Sequence, residues 1–147
     1  MSSAGSSKEE PLERARILLA DDHAEFLALA AGLVESEFNV LKTFGNGQAI
    51  VDEFEKLNPD LVVLDISMPG LNGIEAAQKL RAARRNAKIV FLTVHKDLDY
   101  LRSALATGAL GYVAKDCLAS DLIPAMRAAL AGRRFVSCSL RQEQEHE

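Results

Sequence analysis

This 147-residue chain has only two cysteines, Cys117 and Cys138, and they do not form a C-x-x-C pair. That removes the usual signature of a redox or zinc motif and leaves two reduced thiols of a cytoplasmic protein as the expectation. No stretch resembles a secretory signal, and no apolar run approaches the roughly 18 residues of a membrane span. The chain has no basic excess: its formal net charge is −4. This argues against a nucleic-acid footprint on the chain itself, though not on a partner domain. No glycine-rich turn follows the first apolar run, which disfavours a dinucleotide or flavin carrier. No segment repeats.

What is present is ordinary in bulk and unusual in placement. Apolar residues make up 48% and charged residues 26%, as expected of one globular domain of this length. Four short apolar runs each stop at a residue able to do chemistry. Residues 16–20 lead into Asp21-Asp22, 61–64 into Asp65, 88–92 into Thr93 and 110–114 into Lys115. Runs rich in Val, Ile and Leu, separated by helical patterns, read as buried strands of a parallel sheet. A fifth strand, over 38–44, mixes apolar and polar residues and reads as an edge.

Helical patterns fill the intervals: 24–36, a second marked by Ile50, Val51, Phe54 and Leu57, then 74–85, 97–107 and 119–131. Asn58-Pro59 stops the second, and Gly108 and Gly132 close the last two. Pro124 fits the last helix only near its first turn, with Ser120 as cap; elsewhere it would kink it. The stripe Leu122, Met126, Ala129 and Leu130 reads as core packing. Five strands alternating with five helices predict a doubly wound, flavodoxin-like α/β domain with strand order 2-1-3-4-5. The domain is expected over 15–134, behind a flexible leader at 1–14 and ahead of a polar tail or linker at 135–147.

In such sheets ligands bind beyond the carboxyl ends of the strands. Asp21, Asp22 and Asp65 would then converge with Thr93 and Lys115 at one edge. Three neighbouring carboxylates repel, and Mg²⁺ with oxygen ligands resolves the conflict. A carboxylate can also attack a phosphoryl group, with the ammonium and the dication neutralising the incoming charge. His23 beside the acids reads as solvated, and His95, two residues after Thr93, lies where it would flank a phosphoryl pocket.

The acidic pair, the stretch Leu64-Asp65-Ile66-Ser67-Met68-Pro69-Gly70-Leu71-Asn72-Gly73, Thr93 and Gly111-Tyr112-Val113-Ala114-Lys115 together resemble the receiver domains of two-component response regulators. The resemblance implies that Asp65 is the phospho-acceptor, served by a sensor histidine kinase. It implies that Asp22, Asp65 and the Ser67 backbone carbonyl bind Mg²⁺ directly and Asp21 through water. Thr93 and Lys115 would hold the phosphoryl group, and Tyr112 would turn inward on activation. Lys115-Asp116, in place of the Lys-Pro of many receivers, resembles the branch with a C-terminal helix-turn-helix of the LuxR type.

Fifteen residues follow Gly132, too few for that effector, so the chain reads either as a stand-alone receiver or as the receiver of a longer regulator that controls transcription through a domain outside this sequence. A homodimer through helices 1 and 5 is a further possibility. The expected protein is a cytoplasmic signalling module without affinity for membrane or DNA of its own, and not a turnover enzyme. A phosphotransferase of the haloacid-dehalogenase kind would need a second acid at position 67, which is serine. A non-phosphorylatable adaptor would lack part of the acid set.

Overall fold

A computed structural model describes residues 14–137. The leader expected over 1–14, Arg14 apart, lies outside the described residues, as do Cys138 and the remainder of the tail. The order is β1 (Arg16–Ala20), α1 (Ala24–Val34), β2 (Asn39–Phe44), α2 (Gly47–Leu57), β3 (Leu61–Asp65), α3 (Gly73–Ala83), β4 (Ile89–Thr93), α4 (Leu98–Ala106) and β5 (Gly111–Ala114). A 3₁₀ turn (Lys115–Cys117), α5 (Leu118–Leu130) and β6 (Phe135–Val136) follow. All pairings are parallel, in the order β2-β1-β3-β4-β5-β6.

The sheet is buried on both faces because β1, β3, β4 and β5 are apolar at successive positions, and successive side chains point to opposite sides. Ile17, Leu19, Leu61, Val63, Val90, Leu92 and Val113 pack with residues of α1 and α5. Leu18, Ala20, Val62, Leu64, Phe91 and Tyr112 pack on the other face with residues of α2, α3 and α4. Strand β2 is the partly exposed edge, as its mixed composition predicts.

The five expected strands are in their expected order, with a sixth added. Residues 135–137, assigned to a polar tail, instead run beside β5. Phe135 N donates to the Leu110 carbonyl at 2.8 Å and Ser137 N to the Tyr112 carbonyl at 3.0 Å. Ala114 N donates to the Ser137 hydroxyl at 3.0 Å. The physical reason is that β5 would otherwise end the sheet with unpaired backbone groups in a buried setting.

The end of α5 also differs from expectation. The helix starts at Leu118, directly after the 3₁₀ turn, so Ser120 lies within it and Pro124 in its interior. The Ser120 hydroxyl donates to the Cys117 carbonyl at 3.3 Å instead of capping the helix. The helix continues through Pro124, which brings no N–H to the Ser120 carbonyl.

Candidate phosphoryl and metal site

Register sets the site. Ala20 lies beside Leu64, Asp65 beside Leu92 and Thr93 beside Ala114. The strands therefore run out at one level, and Asp21, Asp65, Thr93 and Lys115 meet at that edge. The loop after β3 is folded back over it. Gly73 N donates to the Ile66 carbonyl at 2.8 Å. A Cβ at Gly73 would collide with the Asp65 carbonyl, so only glycine lets α3 start this close to the strand. Asn72 caps α3: its side chain accepts from Glu75 N at 2.9 Å, while Glu75 accepts from Asn72 N at 3.1 Å.

The charges are concentrated and mostly dry. Asp21 and Asp65 are each 2% exposed. Lys115 Nζ lies 2.8 Å from Asp21 Oδ2 and 3.3 Å from Asp65 Oδ1. Asp21 Oδ1 accepts from His23 N at 2.8 Å. His23, expected to be merely solvated, is exposed but stands with the acids, its Nδ1 3.4 Å from Asp22 and 3.5 Å from Asp21.

Burial, reinforced by the charge of Asp21, pushes the Asp65 carboxyl up to about 6; the Lys115 ammonium opposes the rise without cancelling it. Asp65 Oδ2 is buried without a hydrogen-bond partner, and Asp21 Oδ2 likewise apart from its charge contact with Lys115. Buried orphan carboxylate oxygens are what a hard cation would satisfy. Potential ligand atoms of Asp21, Asp22, His23 and Asp65 lie within 4.8 Å of one another, a donor set that fits a hard dication.

Ser67 stands two residues past Asp65, and its hydroxyl lies 2.5 Å from His95 Nε2. The His95 ring stacks on Tyr100 at 4.0 Å, and the His95 backbone N–H donates to Thr93 Oγ1 at 2.8 Å. His95 therefore does flank the site. A cleft of about 520 Å³ opens beside these residues, lined in part by Asp22, His23, Ser67 and Tyr100.

Tyr112, expected to turn inward only on activation, is already fully buried here, with its hydroxyl pushed up to about 12 by burial. It faces the His95 carbonyl at 3.5 Å. Its ring belongs to the core beneath α4, with Leu101 and Ala104, and that apolar packing accounts for the inward position. One contact was not anticipated at all: the Phe26 ring, read from the sequence only as part of a helical face, lies 4.4 Å from Lys115 Nζ.

A parallel α/β domain with acids, a hydroxyl and a lysine at one sheet edge defines a class, and the chain belongs to it: the response regulator receiver domain family, whose model matches residues 17–127. Within that class it is similar to transcriptional regulators of the NarL and LuxR type. It is 36% identical to the nitrate/nitrite response regulator protein NarL of Escherichia coli, over 91% of this chain and 62% of that protein. It is 34% identical to the transcriptional regulatory protein DegU of Brevibacillus brevis, over 82% of this chain and 52% of that protein. This chain thus spans between half and two thirds of the length of these relatives.

Among solved structures it is similar to a LuxR-family two-component response regulator from Aurantimonas sp. SI85-9A1. The TM-score is 0.86 at 32% identity, covering 91% of this chain and 99% of that one. The isolated receiver domain of RcsB from Salmonella enterica serovar Typhimurium, solved with the phosphomimetic BeF3−, gives a TM-score of 0.81 at 25% identity. That match covers 88% of this chain and 97% of that one. Among the described residues no helix is long and apolar enough to cross a membrane.

Proposed function

We propose that Asp65 is the phospho-acceptor of this receiver and takes its phosphoryl group from the phosphohistidine of a sensor histidine kinase. The observation that carries the reading is the buried Asp65 carboxylate, held 3.3 Å from the Lys115 ammonium at the end of a central strand. A bound Mg²⁺ would be held by Asp22, Asp65 and the Ser67 carbonyl, with Asp21 acting through water, and would neutralise phosphoryl charge. Lys115 does the same from the opposite element, and Thr93 offers a hydroxyl to a phosphoryl oxygen. The receiver takes part in its own phosphorylation and is not a turnover enzyme.

The reading places the protein in the cytoplasm, with a domain over 15–134 extended by β6 and no DNA affinity of its own. Output to transcription would run through an effector outside this sequence. Readout would follow α4, β5 and α5, with Thr93 and Tyr112 as the moving parts; a homodimer through α1 and α5 is the competing readout. Because Tyr112 already sits inward, phosphorylation would favour one of two existing arrangements instead of creating a new one.

Intact-mass analysis with acetyl phosphate and Mg²⁺ tests the site. One added phosphoryl group is expected, abolished in Asp65→Asn and more impaired in Asp22→Ala than in Asp21→Ala. Equal labelling of wild type and Asp65→Asn would refute the assignment.

A further inference from the structure

We propose that Phe26 is a positioning residue for the Lys115 ammonium, a role that rests on the reading of Asp65 as phospho-acceptor. Phe26 lies in the first turn of α1, four residues after Asp22, so the segment that delivers the acids also delivers this ring. The ring stands 4.4 Å from Lys115 Nζ, and the Lys115 side chain is only 11% exposed. The ammonium therefore lies against Asp21, Asp65 and the face of Phe26.

The chemistry explains why a ring suits this place. A lysine is a point charge on a flexible four-carbon stem, and two carboxylates alone leave it free to favour the nearer one. Here the nearer one is Asp21, at 2.8 Å against 3.3 Å for Asp65. An aromatic face attracts a cation through its quadrupole and carries no net charge. It can hold the ammonium at the mouth of the site without adding a fourth anion to repel an incoming phosphoryl group. Phe26 is itself partly buried and packs against the apolar cluster under α1.

The step affected is attack by an Asp65 carboxylate oxygen on the phosphorus of an acyl phosphate. The new O–P bond forms as the P–O bond to the acyl group breaks, and the acylate leaves with the electron pair. Negative charge grows on the phosphoryl oxygens, and Lys115 must be in place to meet it.

The test compares rates of mass gain from acetyl phosphate and Mg²⁺ for the full chain and for Phe26→Leu and Phe26→Tyr, each with Lys115 and with Lys115→Met. Phe26→Leu keeps apolar bulk and is expected to slow phosphorylation about two- to fivefold, the size of a partly shielded cation–π contact. Phe26→Tyr should restore the rate, and in the Lys115→Met background Phe26→Leu should change nothing further. An equal slowing in both backgrounds would mean that Phe26 only packs, and would overturn the proposal; so would wild-type rates in Phe26→Leu.

A second measurement needs no variant. Ring current from Phe26 should shift the Lys115 ε-methylene protons upfield in the unmodified protein, and their resonance at the ordinary lysine position would also refute the contact. Failure of wild type to gain mass would bring down the Asp65 reading itself and this role with it. Labelling with unchanged Phe26→Leu kinetics would remove Phe26 alone.

Discussion

Replacing Asp65 with asparagine should make the protein more stable in the absence of divalent metal. The carboxyl is 2% exposed and its pKa rises from 3.8 to about 6, first through burial and then through the charge of Asp21. Holding the ionised form therefore costs folding about 3 kcal/mol at neutral pH, at roughly 1.4 kcal/mol per pKa unit. An acid whose folded pKa lies above its unfolded one favours the fold when protonated. Its destabilisation is absent well below pH 3.8, grows as pH rises through the interval to about 6, and is complete above it.

Asparagine removes that cost, in which the attraction of Lys115 is already counted, so a net gain of about 2–3 kcal/mol is expected, or about 5–10 °C in Tm. Urea and thermal melts of wild type and Asp65→Asn in EDTA check it. The advantage of the variant should be largest at about pH 7.5 and roughly halved at about pH 5. Saturating Mg²⁺ should erase or reverse it, because a ligand at 100 times its Kd stabilises its folded partner by about 2.7 kcal/mol. A variant no more stable than wild type at pH 7.5, with no dependence on pH, would show that Lys115 fully compensates the buried charge.

Two further outcomes test other parts of the fold. Amide exchange with a beryllofluoride mimic should change protection within 94–115, where His95 and Tyr112 are linked to Thr93. Changes confined to α1 would sink that switch and favour a dimer through α1 and α5. Ser137→Ala should cost about 1–3 kcal/mol in a urea melt, because Ala114 N loses its hydroxyl acceptor in a fully buried place. An unchanged midpoint would mean that the Ser137 hydroxyl adds nothing to the fold.

The strands and their order were legible because the runs ending at Ala20, Leu64, Leu92 and Ala114 are apolar on both faces, which only a covered parallel sheet requires. The convergence of Asp21, Asp65, Thr93 and Lys115 followed from that one inference, since parallel strands of similar length end together. β6 was not legible. Two apolar residues after Arg133-Arg134 carry no period, and their pairing is decided by the open edge of β5, a tertiary circumstance. The asparagine cap of α3 could have been found, because Asn72 and Glu75 have the spacing of a capping box. The ring over Lys115 could not: Phe26 fits the apolar face of α1, and nothing local says that a cation from the far end of the chain will lie against it.

The same electrostatics that make Asp65 costly to bury bear on what the site requires. Three carboxylates and one ammonium leave two uncompensated negative charges within a few ångströms, two of the acids being almost fully buried. Packing cannot relieve this, since the strand register that builds the core also brings the acids together. A dication would restore neutrality, and phosphorylation of Asp65 would then turn a monoanionic carboxylate into a dianionic acyl phosphate, so that one negative charge would return with new acceptor oxygens. Thr93, Lys115 and the backbone around His95 are the groups placed to answer it. A protein selected only for stability would not keep Asp65 there; a site meant to exchange charge with a cation and a phosphoryl group would.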